Sequence, residues 1–199
     1  MNFLCSDLEG VFVPEVWINV AEKTGIPELR RTTRDEPDYG KLMRFRMGIL
    51  RENGLKLKDI QDVIATIRPL EGALELLEWI KQRVPMVVVS DTFTQFASPL
   101  LEQLNRPTLF CNELVIDGDG FIADFQFRQH DQKRKVVQAL QNLNYIVTAM
   151  GDSYNDTSML SQAEYGILFR PPENVVRDFP QFPVAKDYEG LKSLIEEIL

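Results

Sequence analysis

Apolar runs that end in short polar clusters are the feature of this chain that most constrains its fold. Three such runs, interpreted as buried parallel strands, lie at 2–5, 86–89 and 145–150. The clusters that follow them are Asp7-Leu8-Glu9-Gly10-Val11, Ser90-Asp91-Thr92 and Gly151-Asp152-Ser153-Tyr154-Asn155-Asp156. In an open α/β sheet, ligands bind beyond the carboxyl ends of such strands. These clusters and Lys133 are therefore predicted to converge on one crevice, where they would suit a phosphate group and a metal ion.

The remaining sequence alternates helical and strand patterns, which predicts an α/β fold with a doubly wound, mainly parallel Rossmann-like sheet. Apolar residues recur at helical spacing through 15–68, and we interpret this stretch as a small helical cap inserted after the first strand. The catalytic core would then comprise residues 1–14 and 69–199. Asp117-Gly118-Asp119-Gly120 lies between two apolar segments and predicts a β-hairpin.

The sequence also predicts where individual elements lie. Strands are expected near 2–7, 86–90, 108–111, 114–116, 122–125, 145–150 and 165–169. Helices are expected at 15–23, from Pro27 onward, and at 39–52, 57–67, 72–82, 95–104, 132–143, 155–162 and 188–199.

Composition narrows the classes of protein and partner. A hydrophobic fraction of 44% and a charged fraction of 26% are ordinary for a soluble globular protein. The net charge of −8 argues against nucleic acid or an acidic membrane surface as a partner. No apolar run approaches the roughly 20 residues that span a bilayer, and Asp7 and Glu9 interrupt any signal-type segment. We expect a cytoplasmic protein, a monomer or a homodimer, with Cys5 and Cys111 as free thiols in buried strands.

The first cluster places two carboxylates on one side of the chain. Asp7 and Glu9 flank Leu8, so both side chains leave the same face of an extended backbone. Such a pair suits metal binding, or a nucleophile with a neighbouring acid. Gly10 permits a tight turn and a close approach of the backbone to an anion. The alternative is a solvated acidic turn.

The second cluster and Lys133 are candidates for binding phosphate. Ser90, Asp91 and Thr92 would offer a hydroxyl and backbone N–H groups between a strand and a helix; the alternative is helix capping. Lys133 opens a predicted helix, where an ammonium can bind a phosphoryl oxygen or keep a carboxylate ionised. The alternative for the run 133–135 is a solvated helix face.

The last cluster is the most specific of the set. Asp152 ends a predicted strand, and Asp156 follows one helical turn later beside Asn155. Oxygen ligands in this position suit Mg²⁺, which prefers a few carboxylates together with water and substrate phosphate. The alternative is a capped helix start.

The four clusters, in this order along the chain, resemble the motifs of the haloacid dehalogenase-like hydrolase superfamily. The resemblance is to its phosphoserine phosphatase branch. The likeness is greatest to the bifunctional phosphoserine phosphatase/homoserine phosphotransferase type, and it covers essentially the whole chain. Four segments carry this closer match: Asp-Leu-Glu-Gly-Val-x-Val-Pro-Glu at 7–15, Thr-Thr-Arg-Asp-x-Pro-Asp-Tyr at 32–39, Gly-Asp-Ser-Tyr-Asn-Asp at 151–156 and Pro-Glu-Asn-Val at 172–175. Phosphatases of the wider superfamily usually carry aspartate where this chain has Glu9, whereas the closer type shares the glutamate.

The resemblance implies a reaction and a cofactor. Asp7 would attack phosphorus to form an aspartyl-phosphate, and Glu9 would protonate the leaving alkoxide and then deprotonate the incoming water. Mg²⁺ would be held by Asp7, the backbone carbonyl of Glu9 and Asp152, with Asp156 and Asn155 supporting the site. The residues implied to hold the phosphoryl oxygens are Gly10, Ser90, Asp91 and Lys133.

The resemblance also implies a substrate. Glu15 would bind the ammonium of phosphoserine and Arg46 its carboxylate, and Thr92 and Asn155 are further candidates for substrate contact. Helix capping and a surface position are the respective alternatives for Glu15 and Arg46. Two other side chains of the cap, Tyr39 and Met43, are candidates for the pocket wall, although core packing is favoured for Met43. His130 is given no catalytic part.

Three functions stay open on the sequence. The first is a Mg²⁺-dependent phosphoserine phosphatase that also transfers the phosphoryl group to homoserine. The second is a Mg²⁺-dependent phosphatase of another small phosphomonoester, which would keep every catalytic residue. The third is a receiver-like signalling domain, against which the insertion after the first strand and the position of Asp7 both argue.

Overall fold

The computed structural model describes residues 1–33, 35–36 and 38–199. Its strands are β1 (Asn2–Ser6), β2 (Met86–Phe93), β3 (Leu109–Ile116), β4 (Ile122–Gln126), β5 (Ile146–Gly151), β6 (Tyr165–Phe169) and β7 (Val184–Ala185). Its α-helices are α1 (Val16–Thr24), α2 (Tyr39–Glu52), α3 (Leu57–Ala65), α4 (Ala73–Lys81), α5 (Thr94–Gln103), α6 (Gln132–Asn142), α7 (Thr157–Gln162), α8 (Glu173–Asp178) and α9 (Tyr188–Glu196). Short 3₁₀ helices occupy Pro27–Arg30 and Tyr154–Asp156.

The strands form a seven-stranded sheet in the order β4-β3-β2-β1-β5-β6-β7. Neighbouring strands are parallel except for the β3–β4 hairpin, which is antiparallel. Leu4 and Cys5 of the central strand β1 point to opposite faces of the sheet, and each packs into a separate hydrophobic cluster. Helices cover both faces, which explains why the parallel strands are almost continuously apolar. The predicted fold class is confirmed.

Helices α1 to α3 lie between β1 and β2, in the stretch predicted to form a cap. Buried residues of these helices, including Met43 and Ile60, share a hydrophobic cluster with Phe96 of α5. The hairpin also contacts them, because Arg51 pairs with Asp117 at 2.8 Å. The bounds of the cap as a separate unit, 15–68, remain a prediction.

Several elements differ from the sequence prediction. α8 has six residues and β7 has two, and neither was predicted because such short elements carry too few periodic positions. The strands predicted at 108–111 and 114–116 are one strand, β3. Cys5 is fully buried as predicted, whereas Cys111 is only partly buried. No helix in the described part of the chain is long and apolar enough to cross a bilayer.

Candidate active site

Asp7 directly follows the central strand and lies at the carboxyl edge of the sheet. Its backbone N–H donates to the Met150 carbonyl of β5 at 3.0 Å, which fixes the position of the residue. One carboxylate oxygen accepts from the Leu8 N–H at 2.7 Å, and the other lies 3.0 Å from Lys133 Nζ. Only 5% of the Asp7 side chain is exposed, so these contacts replace water around the carboxylate.

Lys133 joins two carboxylates at the first turn of α6. Its Nζ lies 3.0 Å from Asp7 Oδ2, 2.7 Å from Asp156 Oδ1 and 4.0 Å from Asp91 Oδ2. Burial opposes the ammonium form, but the carboxylates of Asp156 and Asp7 outweigh it and raise the pKa of Lys133 well above its usual value. The side chain is 3% exposed, so the alternative of a solvated helix face is wrong for this residue.

Asp156 uses both carboxylate oxygens within the protein. While Oδ1 accepts from Lys133, Oδ2 accepts from the backbone N–H groups of Asp152 and Ser153, each at 3.0 Å. A Cβ on Gly151 would lie 2.3 Å from Asp156 Cγ, so this close packing requires glycine. The predicted capped start is also present, because Ser153 and Asp156 form a reciprocal capping box. Asp156 thus holds Lys133 and the turn after β5 together.

Three carboxylates are crowded at this edge of the sheet. One oxygen each from Asp7, Asp152 and Asp156 lies within 4.8 Å of the others. Burial, and next the neighbouring Asp156 carboxylate, raise the pKa of Asp7 well above its usual value and that of Asp152 to about 7. A divalent cation relieves such repulsion, and carboxylate oxygens are the donors that Mg²⁺ prefers. The residues present therefore fit a magnesium ion.

Gly10 forms the tight turn that the sequence predicts. Its own N–H donates to the Val13 carbonyl at 2.8 Å, and Gly10 does not line the cavity described below. The residue has φ +78°, and a Cβ there would lie 2.4 Å from Asp152 Cγ. We conclude that Gly10 lets the loop after β1 approach Asp152 closely, and the binding of phosphoryl oxygens by backbone amides near Gly10 stays a prediction.

Glu9 contacts the start of the first helix of the cap stretch. One of its oxygens accepts from the Val16 N–H at 2.8 Å. Burial raises the pKa of Glu9 to about 7, although the Val16 hydrogen bond opposes the shift. Both protonation states of Glu9 are therefore accessible near neutral pH. Glu15 is the N-cap residue of α1 but makes no side-chain capping bond, so the helix-cap alternative for Glu15 is wrong.

The Ser90–Thr92 segment is fixed by two buried amides. Gln132 Nε2 donates to the Ser90 carbonyl at 2.9 Å and to Asp91 Oδ1 at 3.1 Å. Asn112 Nδ2 donates to the Asp91 carbonyl at 2.9 Å. Neither amide was predicted from the sequence, because both are far from the segment along the chain and belong to no motif. Together they hold the backbone that carries the predicted phosphate ligands.

These side chains line a cavity of about 100 Å³ between the edge of the sheet and the helices that follow β1. The lining residues from the sheet side are Asp7, Glu9, Ser90, Asp91, Thr92, Lys133, Asp152, Ser153 and Asn155. Those from the stretch after β1 are Glu15, Trp17, Thr32, Thr33, Tyr39, Leu42 and Arg46. Every predicted site residue therefore lines this cavity except Gly10, which lies against Asp152, and Asp156, which pairs with Lys133.

Arg46 is buried in the wall of this cavity. The residue is 3% exposed, so the surface alternative is wrong. Its Nη2 donates to the Arg31 carbonyl at 2.7 Å, while its Nε has no hydrogen-bond partner in the described part of the chain. Burial lowers the pKa of Arg46. Its guanidinium carbon lies 4.4 Å from the ring centroid of Trp17, which was not predicted as a site residue because a lone tryptophan at helical spacing carries no site motif.

The remaining candidates divide between this cavity and its neighbour. Tyr39 lines the cavity and stacks on Phe93, whereas Met43 is fully buried in the core, as predicted. The exposed His130 lines a second cavity, of about 190 Å³, beyond Asn155. Of the segment 32–39, Arg34 and Pro37 lie outside the described residues.

Comparisons with known proteins agree with this geometry. Residues 14–161 match the family described as haloacid dehalogenase-like hydrolase. The phosphoserine phosphatase ThrH of Pseudomonas aeruginosa is 57% identical over 192 residues, which cover 96% of this chain and 94% of that protein. A phosphoserine phosphatase of Pseudomonas syringae pv. tomato is 54% identical over 192 residues, which cover 96% of this chain and 81% of that protein.

Solved structures show the same fold at lower identity. A substrate-bound phosphoserine phosphatase complex superposes with a TM-score of 0.78 at 19% identity, covering 98% of this chain and 97% of that one. A phospho-aspartyl intermediate analogue of phosphoserine phosphatase superposes with a TM-score of 0.77 at 19% identity, covering 98% of both chains.

Proposed function

This chain belongs to the haloacid dehalogenase-like hydrolase family, and from that premise we propose that it is a Mg²⁺-dependent phosphoserine phosphatase. The observation that carries the proposal is that one cavity has two walls with different charged residues. Asp7 and Lys133 lie on one side, where a phosphoryl group would react. Arg46 and Glu15 lie on the other, where a carboxylate and an ammonium would bind.

The reaction would proceed in two transfers on Asp7. A carboxylate oxygen of Asp7 attacks phosphorus, the bond from phosphorus to the serine oxygen breaks, and Glu9 gives its proton to the departing alkoxide. Glu9 then removes a proton from water, the resulting hydroxide attacks the aspartyl-phosphate, and Asp7 leaves as a carboxylate. Lys133 would stabilise the negative charge on the transferring oxygens, and its contact with Asp156 keeps it in place.

Asp7 and Asp152 would hold Mg²⁺, with the Glu9 backbone carbonyl as a further ligand and Asp156 and Asn155 as support. When bound, the ion would neutralise charge on the phosphoryl group and on the crowded carboxylates. The closeness of the three aspartates supports this assignment. Removing the metal with a chelator should stop phosphate release, and added Mg²⁺ should restore it. Full turnover in metal-free buffer would exclude a catalytic metal.

Substrate choice would lie in residues 15–68, which we propose to act as a cap over the sheet edge. Arg46 lines the cavity and forms no ion pair within 4.0 Å with a carboxylate of the described residues, so its guanidinium would offer a charged donor to a substrate carboxylate. Glu15 lines the same cavity and offers the complementary acceptor for an ammonium. Ser90, Thr92 and Asn155 would complete the binding of phosphate and substrate. A phosphatase of another small phosphomonoester is the alternative, and a substrate without a carboxylate and an ammonium would not use this pair of charges.

Phosphoserine and O-phosphoethanolamine provide a direct test. The two esters share the phosphate and the ammonium, and only phosphoserine has a carboxylate. We expect kcat/KM for phosphoserine to exceed that for phosphoethanolamine by about 10- to 150-fold, the value of a charge-assisted contact of about 1.5–3 kcal/mol. Equal values for both esters, or faster turnover of a sugar phosphate, would overturn the proposed substrate.

We also propose transfer of the phosphoryl group to homoserine. An aspartyl-phosphate does not specify its acceptor, so an oriented hydroxyl that Glu9 deprotonates can compete with water. Homoserine has the ammonium and carboxylate that Glu15 and Arg46 would bind, and its hydroxyl is one methylene further out than that of serine. Mass spectrometry of phosphoserine and homoserine incubated with the enzyme without ATP should detect phosphohomoserine. Serine and free phosphate as the sole products, at every homoserine concentration, would leave a simple phosphatase.

A further inference from the structure

Arg46 carries a buried positive charge that no carboxylate in the described part of the chain neutralises directly. No carboxylate of the described residues forms an ion pair with its guanidinium within 4.0 Å, although burial lowers the pKa of Arg46 and the nearby Glu9 and Glu15 partly offset that shift. Its Nη2 donates to the Arg31 carbonyl at 2.7 Å, and its Nη1 lies 3.9 Å from the Met43 sulfur. A buried charge without a direct ion pair is costly, so a further contact that stabilises it helps to keep Arg46 in the wall.

The indole of Trp17 makes such a contact. The guanidinium carbon of Arg46 lies 4.4 Å from the Trp17 ring centroid, within the range of a cation–π interaction. Trp17 is itself held in position, because its ring meets Phe96 edge to face with centroids 5.5 Å apart. Trp17 is only 7% exposed and is one of the residues that line the cavity.

An aromatic face and a carboxylate would affect ligand binding in opposite ways. A permanent carboxylate partner would occupy the N–H groups in the guanidinium plane, so an incoming anion would have to displace it. An indole face interacts with the guanidinium from above the plane and leaves those N–H groups available. Arg46 lies over the Trp17 ring and lines the cavity without an ion-pair partner among the described residues, which agrees with the second arrangement.

We propose that Trp17 is a positioning residue that determines specificity: its indole holds Arg46 in the cavity with N–H groups open to the carboxylate of the substrate. This inference rests on the proposed function, because it concerns the same cavity and the same class of substrate. It adds a residue that acts through Arg46 and not on the phosphoryl group.

The test uses Trp17→Leu, which keeps an apolar side chain and removes the aromatic face, and Trp17→Phe, which keeps a smaller face. Trp79→Leu is the matched control. Trp79 also stacks on an arginine, with Arg83 at 4.3 Å, but it does not line the cavity. For each folded variant, the ratio of kcat/KM for phosphoserine to that for phosphoethanolamine is measured.

We expect Trp17→Leu to reduce this ratio about 3- to 30-fold, the range that a desolvated cation–π contact supplies. Trp17→Phe should restore most of the ratio, and Trp79→Leu should keep the wild-type value. A purely structural role would lower turnover of both esters equally and leave the ratio unchanged, which would overturn this inference alone. A wild-type ratio near one would instead overturn the proposed substrate and this inference with it.

Fluorescence gives a second readout, since Trp17 and Trp79 are the two tryptophans of the chain. In Trp79→Phe, the remaining emission comes from Trp17, and saturation with phosphoserine should change it because the guanidinium above the ring then binds an anion. Phosphoethanolamine should change it much less, and Arg46→Met should abolish the difference between the two esters. The same emission change with both esters in the Trp79→Phe protein would contradict the proposal.

Discussion

The two walls of the cavity satisfy their charged groups in different ways. On the sheet side, Lys133 bonds to Asp156 at 2.7 Å and to Asp7 at 3.0 Å, so its charge is balanced within the protein. On the side of the helices after β1, Arg46 has an aromatic neighbour and an Nε without a partner among the described residues. Both cations are 3% exposed.

On the sheet side, the charged groups are thus paired before a substrate binds. On the opposite side, Arg46 would gain a carboxylate partner only when a substrate binds. The sheet wall has an ordered network of charges before substrate arrives, as expected where charge is to be stabilised during a reaction. On the opposite wall, Arg46 has no ion-pair partner among the described residues, and a carboxylate that binds there would supply one. We therefore expect substitutions on the sheet wall to affect all substrates, and substitutions on the other wall to affect selectivity.

The largest effect should come from Asp7→Asn on the sheet wall. Turnover should fall below detection with every phosphate ester, because an amide cannot form the aspartyl-phosphate. The protein should stay folded and at least as stable, since the change removes one charge from three crowded carboxylates. Turnover is measured by phosphate release, and stability is measured by thermal unfolding. Substantial turnover in this variant would show that Asp7 is not the nucleophile.

Lys133→Met should also silence the enzyme, and it should destabilise it as well. Removing the cation leaves Asp7 and Asp156 buried without their partner, at a cost of about 3–5 kcal/mol in the free energy of unfolding, measured by urea denaturation. Lys135→Met, on the same helix and partly exposed, is the control. Adding Asp7→Asn to Lys133→Met should recover part of the lost stability. A double variant no more stable than Lys133→Met would contradict the idea of a balanced network.

On the opposite wall, Arg46→Met should change selectivity first. Its kcat/KM for phosphoserine should fall about 10- to 150-fold more than that for phosphoethanolamine, because only the first ester has the carboxylate. Arg44→Met, on the same helix and exposed, should leave both values near wild type. Equal losses on both esters would make Arg46 a structural residue and would remove the distinction between the walls.

The smallest effect is expected for Glu15→Gln. Glu15 is exposed at the start of α1, so water screens its attraction for the substrate ammonium. We expect kcat/KM for phosphoserine to fall about 2- to 5-fold, which corresponds to the free energy that an exposed ion pair contributes. A phosphate ester without an ammonium should be unaffected, and Glu28→Gln is the matched exposed control. A loss as large as that of Arg46→Met would show that the closed cavity excludes water from Glu15.

Local sequence determined the positions where the sheet wall would form. Asp7 and Asp152 follow strands whose apolar pattern fixes their place at the carboxyl edge, so their meeting follows from the topology of a parallel sheet. The helix α2, Tyr39–Glu52, was predicted with the bounds that the structure shows. The short α8 and β7 were not predicted, because neither spans enough residues to show a period.

Only the tertiary structure decided which polar groups find partners. Nothing local in the sequence places the amides of Asn112 and Gln132 on the Ser90–Thr92 segment, and the Gly10 N–H bonds to Val13 instead of facing a ligand. Trp17 and Arg46 belong to different helices, and no spacing along the chain predicts that they stack. The order of apolar and polar residues sets strand ends and helix faces, whereas contacts between distant side chains depend on how those elements pack.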